Sequence, residues 1–135
     1  MDGIHFTDQD GTFELERPED YSYLYFPLAG EKGLKSSMAP NLGGDSKLDQ
    51  ASFLLEPVSS ENLHNNRSTR NFWVKSGDGQ AWSAAGGSAE AENDRFTEAQ
   101  DDSKITAGFM WQTMERSSRK YGLKSQITSF VPDDL

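Results

Sequence analysis

From Lys104 to Arg116 (KITAGFMWQTMER) the apolar side chains follow a period of two. Ile105, Ala107, Phe109 and Trp111 fall on one side, and Thr106, Met110, Gln112 and Met114 on the other. That spacing belongs to a pleated strand, because a helix needs apolar positions three or four residues apart. This run is the longest strand candidate in the chain. The segment from Ser117 to Gly122 reads as a turn, with Gly122 suited to a positive φ. Leu123 to Val131 alternates again, with Leu123, Ile127 and Val131 sharing a face, and Pro132-Asp133-Asp134-Leu135 stops it.

Shorter runs of the same kind precede these. Gly11 to Glu16 predicts a half-buried strand with Phe13 and Leu15 on one face. Tyr21 to Leu28 predicts a second, with Tyr21, Tyr23 and Tyr25 on one side and Leu24 and Phe26 on the other. Pro27 cannot donate to a ladder, so this strand should end there or lie at an edge. Leu34 to Met38 reads as a third strand, Ala39 to Gln50 as a long polar loop centred on Gly43-Gly44, and Ser52 to Val58 as an apolar run closed by Pro57. Asn71 to Lys75 and Gln80 to Ala84 flank Ser76-Gly77-Asp78-Gly79, which predicts a hairpin with Trp73 near Trp82 across it. Gly86 to Asp102 is rich in Ala and Glu and reads as a polar insertion, either a short exposed helix or an acidic loop whose carboxylates are solvated. No internal repeat or long amphipathic helix interrupts this pattern. It predicts an all-β fold, an antiparallel β-sandwich.

The chain has 135 residues, enough for a single domain over 1–135 with a modest core. Only 34% of residues are hydrophobic, yet 3 Trp, 4 Tyr and 8 Phe argue against disorder. The net charge of -9 disfavours nonspecific binding to nucleic acid, which needs a Lys/Arg footprint, and no nucleic-acid partner is expected. There is no cysteine, hence no disulfide and no thiolate metal site. The first residues lack the basic and apolar regions of a signal peptide, and no apolar run is long enough to span a bilayer. No membrane partner is expected, and a cytoplasmic location is. The last hairpin stops a few residues before the chain does, and a bare strand edge is usually covered. The expectation is an incomplete N-terminal sandwich, the first part of something longer.

Specific chemistry is sparse. There is no P-loop, GxGxxG, GxSxG or HExxH pattern. Asp8-Gln9-Asp10-Gly11 resembles the start of a calcium loop, but Phe13 stands where the obligatory Gly should be, so it reads as a turn before a strand. His5 and His64 are far apart, and no spacing supplies a metal site. No carboxylate pair can be singled out for acid–base work. Trp73, Trp82 and Trp111 could stack on sugar rings, but core packing is the favoured reading for each.

The densest run of hydrogen-bonding side chains is Glu61 to Lys75 (ENLHNNRSTRNFWVK), a polar loop entering a strand. Its amides and guanidinium groups either staple the loop to the fold, the reading favoured on composition, or bind sugar hydroxyls or phosphate. Under the second reading the ligand-binding candidates are His64, Asn65, Asn66, Arg67, Arg70, Asn71 and Trp73.

Four longer runs carry a family resemblance: YLYFPL (Tyr23–Leu28), APNLGGDSKLDQ (Ala39–Gln50), FLLEPVSSENLHNNRSTRNFW (Phe53–Trp73) and AGFMWQTMERSSRKYGLKSQITSFVP (Ala107–Pro132). They resemble the N-terminal region of glycoside hydrolase family 94-type inverting glycoside phosphorylases, cellobiose phosphorylase-like proteins, and especially their β-1,2-oligoglucan phosphorylase branch. The resemblance implies a β-sandwich followed by a helical linker and an (α/α)6 barrel. In such enzymes the barrel holds the general-acid Asp and the site for inorganic phosphate, which is co-substrate rather than cofactor. Phosphate attacks the anomeric carbon of a β-gluco-oligosaccharide and gives glucose 1-phosphate with inversion, in place of the water of an inverting hydrolase. This chain is too short to contain the barrel, so no catalytic residue is assigned to it. The resemblance also implies that the sandwich helps shape the substrate cleft and subunit contacts, the latter within a homo-oligomer. The rival expectations are a free-standing carbohydrate-binding module, with Tyr21, Tyr23 and Tyr25 as its platform, and a structural or interaction domain.

Overall fold

A computed structural model describes residues 4–21, 24–40, 42–48, 53–55, 71–75, 77, 79, 81–86, 93–94 and 97–133. Among the described residues the chain is all-β and antiparallel throughout. Five strands make the larger sheet: β1 (Ile4–Phe6), β2 (Phe13–Glu16), β9 (Asp102–Gly108), β10 (Trp111–Ser118) and β11 (Leu123–Phe130), in that spatial order. The second sheet runs β3 (Phe26–Ala29), β4 (Lys35–Met38), β5 (Gly44–Lys47) and β6 (Phe53–Leu55), and β7 (Trp73–Lys75) and β8 (Ala81–Ser83) form a separate hairpin. The larger sheet thus unites both ends of the sequence, with β2 paired to β9.

One core joins the two larger sheets. Leu15, Ile105, Ala107 and Met114 from the five-stranded sheet cluster with Phe26, Leu28 and Met38 from the other. The Phe13 and Phe26 rings stack across the gap at 6.1 Å between centroids. The alternation expected for Gly11 to Glu16 holds, with Leu15 buried and Glu16 exposed. Asp8 closes the turn before it: its Oδ1 accepts from the backbone N–H of Asp10 at 2.8 Å and of Thr12 at 3.1 Å. That side chain organises a turn, as read from the sequence, and β1, which the sequence reading missed, lies on the turn's other side.

Three expectations are corrected. Tyr21 to Leu28 is not one strand. Pro18, whose fixed φ suits the first turn of a helix, opens a 3-10 turn that runs to Tyr21. The Leu24 N–H then donates to the Tyr21 carbonyl at 3.0 Å, and β3 starts only at Phe26. Tyr21 and Leu24 still pack against the core, so a turn reproduced the apolar alternation of a strand. Tyr21 and Tyr25 are half-buried outside any strand, so no strand face carries these two, and Tyr23 lies outside the described residues. Pro27 does sit on an edge strand, opposite Ser37.

The segment Ala39 to Gln50 is not all loop. The Ala39 N–H donates to the Gly43 carbonyl at 2.7 Å, Leu42 adopts φ 66° with its side chain fully buried, and β5 begins at Gly44. Gly44 has φ +146°, and a Cβ there would run into the Ser37 carbonyl of β4. The glycine pair reads as a loop centre, but its second member enters a strand that needs glycine for close approach.

Lys104 to Arg116 is two strands rather than one. The chain reverses at Phe109-Met110, with Met110 at φ 63°. Across this hairpin Ile105 pairs with Met114 and Ala107 with Gln112. Residues that a single strand would put on opposite faces therefore share the buried one. The next turn is as expected, with Gly122 at φ +64°.

Candidate functional site

Two of the seven sequence-predicted ligand residues lie among the described residues. Asn71 is a staple: its Nδ2 donates to Ser83 Oγ at 2.7 Å, and its Oδ1 accepts from the Ala85 N–H at 3.0 Å. Both ends of the amide hold the hairpin β7–β8 together at its open end. Trp73 is 53% exposed, contrary to the core packing favoured for it. His64, Asn65, Asn66, Arg67 and Arg70 lie outside the described residues.

Trp82 is buried, as expected, but it does not meet Trp73. The register pairs Trp73 with Ser83 and Val74 with Trp82, so the two indoles point to opposite faces. A loop of residues 76–79 would have set them opposite each other. The observed register instead pairs Lys75 with Ala81, one residue further along, and one residue of register exchanges the faces.

The Trp82 Nε1–H donates to Asp101 Oδ2 at 3.0 Å, and the same oxygen accepts from Arg116 Nε at 3.0 Å. The Asp101 and Arg116 side chains are each only 10% exposed. The guanidinium lies over Gly86, where a Cβ would stand 2.6 Å from Cζ and 2.7 Å from Nη2. An ion pair this deep joins the hairpin to the five-stranded sheet. Asp101 belongs to the stretch read as a solvated acidic insertion, and that reading is corrected here. Its neighbour Glu98 is exposed, as expected.

The outward face of the five-stranded sheet carries a groove of ≈ 540 Å³. Strand alternation builds it. Glu16, Lys104 and Glu115 lie side by side on β2, β9 and β10, and the next row holds Asp102, Ser117 and Lys124. The turn at Thr97 to Gln100 forms a rim. Lys104 Nζ sits 3.5 Å from Glu14 and 3.4 Å from Glu115, and these carboxylates, Glu14 foremost, raise its pKa. Arg119 donates through Nε and Nη2 to the two oxygens of Asp102 at 3.1 and 3.0 Å, which raises its own pKa. Arg17 holds Asp20 at 3.3 Å. Three of the groove's cations therefore already carry a carboxylate, and the groove presents donors and acceptors in close alternation rather than a concentrated charge.

Sequence reasoning missed this groove because it weighted one dense polar loop. The signal was present in the polar halves of the alternating strands: Asp102, Lys104 and Thr106; Thr113, Glu115 and Ser117; Lys124, Gln126 and Thr128. Among the described residues no cluster of three or more His, Asp or Glu is placed to hold a metal ion, and no helix is long and apolar enough to cross a membrane. No known protein family matches the chain, and no curated protein does either.

Proposed function

We propose that this chain is a non-catalytic β-sandwich part of an inverting glycoside phosphorylase that cleaves β-glucosidic bonds with inorganic phosphate to give glucose 1-phosphate. The observation that carries the reading is the agreement between the four-run resemblance and the architecture: an all-β antiparallel fold is what that resemblance implies for this region. A hydroxyl-rich ligand suits the outward groove, where paired cations and carboxylates offer both donors and acceptors without a net field for an anion. The chemical step is assigned to the barrel that the resemblance implies, where phosphate would attack the anomeric carbon while an acid protonates the leaving oxygen.

The test is phosphorolysis. The 135-residue chain and the longer product of its reading frame are each incubated with inorganic phosphate and β-1,2- or β-1,4-linked gluco-oligosaccharides. Glucose 1-phosphate is expected from the longer protein and not from the chain alone. Product from the chain alone, or none from the longer protein with any β-glucan, overturns the reading.

A further inference from the structure

β11 is the last strand of the five-stranded sheet, and among the described residues no strand pairs with its outer edge. Sheets usually guard such edges, because unpaired N–H and C=O groups invite another strand. At the opposite edge of this sheet β1 has three residues, and the edge strand β3 of the second sheet carries Pro27. β11 has eight residues, no proline, an unbroken register with β10, and Lys124 as its single charge. The open stretch runs on to Val131. A Cβ on Gly30 would stand 2.5 Å from the Pro132 carbonyl oxygen, so the turn after β3 closes the edge there.

Leu123 to Val131 reads nearly the same in both directions. Ile127 is its middle, flanked by Gln126 and Thr128, then Ser125 and Ser129, then Lys124 and Phe130, then Leu123 and Val131. Leu123, Ile127 and Val131 are half-buried, whereas Lys124, Gln126, Thr128 and Phe130 are exposed on the outer face. Opposed residues of an antiparallel pair share a face. A second copy turned about a two-fold axis through Ile127 therefore sets Ile127 on Ile127, Leu123 on Val131, serine on serine and amide on hydroxyl. Lys124 then lies over the Phe130 ring of the other copy. Moving the axis to Gln126 or Thr128 opposes Ile127 to a serine instead. Charge follows the same order: Lys120 precedes the strand and Asp133 follows it, so the basic start of each copy approaches the acidic end of the other. A slot of ≈ 240 Å³ lies beside the edge, lined by Leu28, Leu34 and Met38 and, from the strand side, by residues up to Val131. Leu123 of the second copy arrives at that end.

We infer that β11 is a dimer interface, along which two copies of this chain pair antiparallel, centred on Ile127, and join their five-stranded sheets into one continuous sheet. The occupant is a second copy because the edge is complementary to itself in apolarity, hydrogen bonding and charge. This interface does not rest on the phosphorylase reading.

The experiment is sedimentation equilibrium of the 135-residue chain over a range of concentrations. A monomer–dimer equilibrium is expected. The double variant Gln126→Lys with Thr128→Lys opposes like charges across the axis and should weaken the dimer at least about tenfold. Mixing it with the double variant Gln126→Glu with Thr128→Glu should restore association, which a misfolded chain would not do. Disulfide capture reads the register, since the chain has no cysteine of its own. Chains carrying Gln126→Cys and chains carrying Thr128→Cys should cross-link to each other far more than either does to itself. Directly opposed Cα atoms lie within disulfide reach, and diagonal ones do not. A monomer at every concentration, a dimer that the lysine variant leaves intact, no restoration on mixing, or self-linking equal to mixed linking overturns the inference. None of these outcomes depends on glucose 1-phosphate production, so interface and phosphorylase reading fail separately.

Discussion

Asp101 and Arg116 show how far one residue's environment can depart from its neighbours'. Removing one member of a buried ion pair leaves the other charge uncompensated. Asp101→Ala should therefore cost about 3–5 kcal/mol in a urea melt. The double replacement Asp101→Leu with Arg116→Met should recover most of that loss, because neither charge remains. Asp102→Ala, next in sequence, breaks an exposed pair with Arg119 and should leave the midpoint within error. The sequence offers two adjacent aspartates with nothing to separate them. Strand alternation does separate them, since Arg116 faces the interior and Asp102 the outer face. Titration divides the residues again. Asp8 has its pKa lowered from 3.8, chiefly by the Thr12 hydrogen bonds. Its contribution is full above 3.8 and is lost as pH falls below it. Lys104 has its pKa raised from 10.5, so its contribution is full below that value and fades as pH rises through the raised one. The difference in melting temperature between the protein and Lys104→Gln should stay constant up to pH 10.5 and shrink above it.

At the scale of elements, most strands were legible and most boundaries between them were not. Phe13 to Glu16, Lys35 to Met38 and Leu123 to Phe130 lie within the stretches their alternation marks. Turns were misjudged where the deciding residue has no turn chemistry. Met110 and Leu42 both adopt left-handed backbone, which propensity assigns to Gly or Asn. Met110→Gly should relieve that strain and raise stability by about 1 kcal/mol. A lower urea midpoint for Met110→Gly would show that packing of the methionine outweighs the backbone term. The groove was equally open to inspection, because three strands repeat charged or hydroxylic residues at alternate positions. What could not be read was their order across the sheet. Pairing β2 with β9 is a contact between distant parts of the sequence, and periodicity within a strand carries no information about its neighbour. The hairpin β7–β8 makes the same point with one residue. Deleting one residue of the connection 76–80 would set Trp73 opposite Trp82 and should lower the unfolding midpoint, because either an indole leaves the interior or the Asn71 staple loses its register.

The molecule as a whole draws its interior from both larger sheets through one cluster, so neither sheet buries its inner face alone. A single cooperative unfolding transition is expected by circular dichroism, with Phe26→Ala costing about 3–5 kcal/mol and shifting the whole transition. Two separate transitions would show that the sheets fold independently. The three tryptophans have a consequence at this scale. Trp73 is exposed, Trp82 is buried with its Nε1–H on the Asp101 carboxylate, and Trp111 is half-buried beside Gly108 on the five-stranded sheet. They stand at the hairpin surface, at its joint with the body, and on the five-stranded sheet. Their emission should separate by colour and by access to a soluble quencher. A single fluorescence decay thus reports three places at once, and a change confined to one of them should alter one component while leaving the other two as they were.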